Sequence, residues 1–360
     1  MERALAKLAG YKQAIDADIE AYVQVVRKST LEQYGQVVLD VETDLFLDML
    51  QRGGKRIRGG LVMAGYEMCG GTDRQMIVQA ARAIEMLQAY ILIIDDIQDR
   101  SSLRRGKPTI HKLVEAYHRK HKLKGDPAHA GTSLALMAAI SSAHIAQTVL
   151  ANLDAEPELK IKALSITNRT MAITAHGQTL DIMNELVKTP TQEDIERVLE
   201  WKTALYTVIN PLQVGMVLAG AECPATTAIS QYGHNAGKAF QITDDILGIF
   251  GDEKDLGKTP GDDIREGKGT LLALYALQHA NAADKAFLRQ CLGNQNLSNE
   301  DFKKCQRIIK SSGALDYARQ LAADNLEQAT KALDQPDAPW SQEGADFLKG
   351  LARALQHRVA

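Results

Sequence analysis

The chain has 360 residues, 45% of them hydrophobic and 24% charged, with a formal net charge of −3. That length allows one large core or two domains, and the composition excludes a disordered or collagen-like chain. The near-balanced charge gives no electrostatic reason to expect nucleic acid or an acidic membrane face as the main partner, so any affinity for anions must be local.

The opening stretch "MERALAKLAGYKQAIDADIE" carries Glu2, Arg3, Lys7 and Lys12 and no long apolar run, so it does not read as a secretory signal. Helical periodicity then runs through nearly the whole chain. In "ARAIEMLQAYILIIDDI", Ile84, Leu87, Ile91 and Ile94 recur at spacings of three and four, whereas alternating β-branched runs are scarce. Breakers fall at Gly53-Gly54, Gly70-Gly71, Gly106 with Pro108, Gly125 with Pro127, Pro157, Pro190, Pro224 and from Gly257 to Gly261. Thr191 followed by Asp194 predicts a helix start. The expected fold is therefore all-α: one domain over residues 1–360, with a polar excursion over 115–131 and a polar tail after about residue 336.

Two segments raise the question of a membrane, because no formal charge occurs from Pro127 to Leu153 or from Thr203 to Ala221. Ser133, Ser141, His144 and Gln147 in the first, and Asn210, Pro211 and Gln213 in the second, favour buried helices over transmembrane spans. The cysteines, Cys69, Cys223, Cys291 and Cys305, show no zinc spacing and are expected to be reduced in a cytoplasmic protein.

The chemistry concentrates in three places. In "LIIDDIQDRSSLRRGKPT" an apolar helix ends in Asp95, Asp96 and Asp99, followed by Arg100, Arg104, Arg105 and Lys107. Asp95 and Asp99, four apart, share a helix face, and two carboxylates about 4 Å apart repel by about 4 kcal/mol at an effective dielectric near 20. A hard divalent cation would relieve that repulsion, and oxygen-only ligands select Mg²⁺, which takes much of its shell from water and phosphate. A solvated helix end with arginine pairs explains this motif alone equally well, but the pattern recurs. "FQITDDILGIFGDEKDLGKTPGDDIREGKGT" sets Asp244 and Asp245 on a predicted helix ahead of Lys258, Asp262, Asp263, Arg265 and Lys268. A third cluster, "RGGKRIRGG", places Lys55, Arg56 and Arg58 among four glycines, where backbone can approach an anion closely. "GDEKDLGKT" is not a nucleotide-binding P-loop: five residues separate Gly251 from Gly257 and no strand pattern precedes them. Together the clusters suggest a site for two phosphorylated substrates, one held through metal and one by cations directly.

These residues resemble the trans-isoprenyl diphosphate synthases, or polyprenyl synthetases, across most of the chain from Gly53 to Thr270: "GGKRIRG", "EMLQAYILIIDDIQD", "RRGKPTIH", "GQTLD", "KTALYT", "FQITDDILG" and "GKTPGDDIREGKGT" occur in the family's order. The resemblance implies a homodimeric all-α bundle with two aspartate motifs facing each other across a central cavity. It implies that Asp95, Asp99 and Asp244 hold Mg²⁺, three ions with substrate bound, supported by Asp96 and Asp245. Arg104, Lys202 and Lys258 would contact an allylic diphosphate, and Lys55, Arg58, Gln88 and Arg105 would hold isopentenyl diphosphate. Thr203 and Gln241 would lie near the developing cation. Tyr90, five residues before Asp95 with the non-aromatic Ile91 next, resembles the pocket floor of short-chain synthases making geranylgeranyl or, next, farnesyl diphosphate, with Leu87 and Ile84 deeper. The sequence departs from the family in Gly248, where a third aspartate often stands, and in Gln88, where many members have His. A class I terpene cyclase shares D-D-x-x-D but needs no isopentenyl site, and a non-catalytic regulatory subunit is expected to have lost acids that this chain keeps.

Overall fold

Apolar stripes recurring every three or four residues bury themselves helix against helix. The computed structural model of the chain describes residues 1–186, 190–221, 227–251, 260–335, 338 and 340–359. The chain divides into two compact units interleaved in sequence.

The first unit comprises Ala6–Ser165 and Pro211–Glu222. Its helices are most of α1 (Glu2–Tyr34), α2 (Gln36–Val38), α3 (Asp44–Gln51), α4 (Ile57–Met68), α5 (Arg74–Gln98), α6 (Ile110–Lys120) and α7 (Pro127–Ala151). Helix α5 packs on α4 and α7, and α6 packs on α7. Fully buried Ile15, Phe46, Met63, Ile84, Leu87 and Ile93 form the apolar interior.

The second unit comprises Met1–Leu5, Ile166–Asn210 and Cys223–Ala360. After α8 (Pro157–Leu186), the start expected at Thr191 is a full capping box with Asp194, opening α9 (Gln192–Val198). The helix continues as a π-helical segment, Leu199–Ile209, and α10 (Asn210–Leu218), which belongs to the first unit from Pro211 on, follows it in sequence. Next come α11 (Thr227–Phe250), α12 (Asp262–Glu266), α13 (Leu271–His279), α14 (Ala282–Cys291), α15 (Asn299–Ser311), α16 (Ala314–Ala332) and α17 (Gln342–Val359). Helix α11 lies against the π-helical segment, α16 and α17, with Ile242, Ile246, Ile249, Cys305 and Leu326 in the core.

Three local expectations change. Leu103–Arg104 (β1) and Lys107–Pro108 (β2) pair antiparallel, a hairpin that a helix-period reading misses. Its two-residue turn holds Arg105 at φ 55° and Gly106 at φ 72°, as a turn matched to strand twist requires. The polar excursion over 115–131 is mostly helix: α6 runs on to Lys120, and Asp126 caps α7 at Pro127 through the backbone N–H groups of Ala128 and His129. The stretch expected as a polar tail carries the amphipathic α17, whose Phe347 and Leu348 are buried and whose Leu348 carbonyl accepts from Tyr232 Oη at 3.0 Å.

Of the two uncharged segments, 203–221 is a largely buried interior run. The other forms α7, and only a third of its most apolar 18-residue window is buried. Helices α5 and α7 are long and apolar enough to cross a membrane, although two-thirds of the corresponding window of α5 is buried in protein.

Candidate active site

In the first unit, α5 carries the acids to its C-terminal end. Asp73 caps its start by accepting from Met76 N at 2.9 Å. At the other end Asp99 N donates to Asp95 O and Ser101 N to Asp96 O, so the helix closes within the acidic motif. Asp96 is fully buried, while Asp95 and Asp99 remain half-buried. The β-hairpin folds Arg104 back onto the helix end. Its Nη2 lies 2.6 Å from Asp96 Oδ1 and 3.4 Å from Asp95 Oδ2, and its Nε donates to Asp96 at 2.7 Å. Burial pushes Asp96 up to about 6 against the pull of Arg104. Burial also opposes the charge of Arg104, but Asp96 and Asp95 outweigh it and hold its pKa above the usual guanidinium value.

The glycine-rich loop meets the same hairpin. Arg105 donates to the Gly53 carbonyl, and its guanidinium lies where a Cβ on Gly54 would come within 2.9 Å. Burial, Arg56, Arg104 and Arg58 together lower Arg105 to about 10, with Glu85 acting the other way. Lys55 is exposed, and Arg58 and Gln88 are half-buried. Farther up α5, Tyr90 and Ile91 are half-buried, whereas Leu87 and Ile84 belong to the core.

In the second unit, Lys202 and Thr203 stand on the π-helical segment, a wider turn that offsets these two side chains from an α-helical register. Close packing fixes it: a Cβ on Gly177 of α8 would lie 2.7 Å from Lys202 N, and one on Gly237 of α11 would strike Ala204. Lys202 Nζ donates to Asp181 Oδ2 at 2.7 Å. Thr203 Oγ1 donates to Gln241 Oε1 at 2.8 Å, and Gln241 Nε2 to Asp245 Oδ1 at 2.9 Å, so one hydrogen-bonded chain links the two elements. Burial, then the neighbouring Asp263 carboxylate, push Asp245 up to about 7. Asp244 is more exposed than Asp245.

Gly248 explains its own departure from the family pattern. A Cβ there would run into Asp263 Oδ2, so the glycine leaves room for a carboxylate delivered by α12. Sequence reading assigned no role to Asp181 and placed Asp263 only in the second charged cluster, without its own task. Asp181 lies inside the "GQTLD" motif, so its presence was visible, but its partner Lys202 is distant in sequence. Lys258 lies outside the described residues.

The donors suit a hard cation. Each acidic pair presents carboxylate oxygens, and among the described residues no partner reaches the buried Asp96 Oδ2. Among those same residues no three acid, imidazole or thiolate groups converge as a protein-only metal cage. Mg²⁺ needs no such cage, since it is commonly held by one or two carboxylates with water and phosphate completing the shell.

A helical protein with two such acid-and-cation clusters has the isoprenoid-synthase fold, as its structural likenesses show. The geranylgeranyl pyrophosphate synthase of Corynebacterium glutamicum, solved with isoprenyl diphosphate and magnesium, superposes with a TM-score of 0.91 at 32% identity, covering 97% of this chain and 98% of that one. A polyprenyl synthase from Caulobacter crescentus, solved with calcium and isoprenyl diphosphate, gives 0.76 at 27% identity, with 98% of each chain covered. The geranylgeranyl diphosphate synthase of Saccharolobus solfataricus is 36% identical over 308 residues, 85% of this chain and 87% of its own. The polyprenyl synthetase family model matches residues 42–309, and the chain belongs to that family.

Proposed function

We propose that this chain is a Mg²⁺-dependent prenyltransferase. It condenses isopentenyl diphosphate with an allylic diphosphate, head to tail and trans, and makes the short-chain product geranylgeranyl diphosphate, with farnesyl diphosphate the next candidate. The carrying observation is the division of labour in each acidic pair. Asp96 and Asp245 are buried and tied to protein partners, which leaves the more exposed Asp95 and Asp244, with Asp99, to face substrate-bound metal. The similarity to geranylgeranyl diphosphate synthases supports the product class.

Asp95, Asp99 and Asp244 would hold the ions, three in the loaded enzyme, and Mg²⁺ bound there supplies Lewis-acid stabilisation of the departing diphosphate. Lys202, held by Asp181, and Arg104, held by Asp96, would add fixed positive charge to a departing diphosphate, where charge grows as the C–O bond breaks. Lys258 would join them. Lys55, Arg58, Gln88 and Arg105 would hold isopentenyl diphosphate so that its double bond meets the allylic carbon, a gain of positioning. The Thr203 and Gln241 oxygens would face the allylic cation. Tyr90 would form the floor that stops chain growth, with Leu87 and Ile84 beneath it. A homodimer would cover the exposed apolar face of α7, which includes Met137 and Ile140 at 45% and 44% exposure.

Incubation with isopentenyl diphosphate, Mg²⁺ and dimethylallyl, geranyl or farnesyl diphosphate in turn, with chain-length analysis after dephosphorylation, tests this. Geranylgeraniol from each primer is expected, and chelation by EDTA should abolish it. A folded protein that elongates none of the primers overturns the reading, and hydrocarbons formed from one prenyl diphosphate alone would identify a cyclase.

A further inference from the structure

Two buried charges in the first unit have no part in the chemistry above. Arg56 stands between Lys55 and Arg58 in sequence, yet it is only 4% exposed, and Glu85 on α5 is only 5% exposed. Burying such charges is costly unless every group is engaged. Arg56 Nε donates to Asp16 Oδ1 at 2.8 Å, Nη1 to Glu85 Oε2 at 3.3 Å and Nη2 to the Leu50 carbonyl at 2.7 Å. The other oxygen, Glu85 Oε1, accepts from Gly59 N at 2.9 Å, an N–H in the first turn of α4 that lacks an intrahelical acceptor.

The backbone shows what this network holds. Arg56 has φ 50°, ψ 37°, a left-handed conformation that disfavours a residue with a Cβ. Its three-point grip offsets that strain. Lys55 precedes the left-handed residue and Arg58, the second residue of α4, follows it by two, so the directions of both side chains follow from this one turn. Gly59 also brings α4 close, since its Cβ would lie 3.2 Å from Glu85 Cγ.

We infer that Arg56 and Glu85 are positioning residues for the isopentenyl diphosphate site: their buried ion pair fixes the left-handed turn that aims Lys55 and Arg58 at a diphosphate. The inference rests on the proposed function and concerns one of the two substrates only. Glu85→Gln keeps an oxygen for Gly59 N but removes the charge that holds Arg56. Arg56→Gly keeps the backbone conformation accessible but removes the grip.

Steady-state kinetics of the full-length protein with Mg²⁺, varying each substrate at saturating levels of the other, test it alongside thermal melts. In both variants KM for isopentenyl diphosphate should rise about tenfold, while KM for the allylic diphosphate and the saturated turnover stay within about twofold. Millimolar guanidinium should restore much of the isopentenyl KM in Arg56→Gly. Equal loss for both substrates, or a lowered melting temperature with both KM values unchanged, overturns the positioning role. Lys55→Ala is the control: an unchanged isopentenyl KM there would refute the loop's proposed substrate contact itself, whereas a raised one alongside unaffected Glu85→Gln and Arg56→Gly would refute only the positioning.

Discussion

The two acidic pairs settle their buried aspartate by different means. Asp96 lies under a guanidinium, with Arg104 Nη2 at 2.6 Å, so charge meets charge. Asp245 receives a neutral amide from Gln241 and sits beside another acid, Asp263, and it is pushed up to about 7 where Asp96 is pushed to about 6. Both sites contain an Asp-Asp step on a helix, and at the first the following hairpin supplies a neutralising cation. Beside Asp245 the Asp263 carboxylate adds a repulsion that a divalent cation would relieve more than an internal hydrogen bond does.

The largest expected effect breaks both sites in the same way. Asp95→Ala and Asp244→Ala should each lower kcat/KM by about a hundredfold or more, without lowering the melting temperature of metal-free protein. Wild-type rates from either variant would remove that position from the metal assignment. Arg104→Met tests the difference between the pairs, because it strands Asp96 in the interior and should cost about 3 kcal/mol or more in chemical unfolding. The matching change in the second site, Gln241→Met, removes a neutral partner and should cost only about 1 kcal/mol. Equal losses would show that Asp96 is not held chiefly by charge.

Gly248→Ala probes the acid delivered by α12. The new methyl must displace the Asp263 carboxylate, at a cost of about 1–3 kcal/mol, and the double variant Gly248→Ala/Asp263→Ala should recover much of that loss. Additive losses in the double variant would separate the two residues. The smallest expected effect on rate or stability lies on the first motif's helix. Tyr90→Ala should leave the melting temperature nearly unchanged but lengthen the products seen by chromatography, whereas an unaltered spectrum would make Tyr90 a packing residue.

The glycine-rich loop shows a second contrast. In sequence its four glycines suggest a backbone opened to an anion. In the fold, Gly54 instead admits Arg105 and Gly59 admits Glu85, so the loop is pressed from both sides by side chains. Of Lys55, Arg56 and Arg58, Arg56 is the buried one.

What the sequence alone determined is whatever depends on short-range order. Three- and four-residue periodicity marked the helices, Thr191 and Asp194 marked a cap, and the ordered motifs marked family and chemistry, because each is written within a few residues. Tertiary structure decided the pairings that cross long separations. Asp181 meeting Lys202, Asp263 entering the space left by Gly248, and Glu85 receiving both Arg56 and Gly59 follow from how helices pack, which no local pattern encodes. The hairpin at Leu103–Pro108 and the buried face of α17 belong there too. A two-residue strand has no period to read, and a polar segment becomes an amphipathic helix only when an apolar surface is there to receive it.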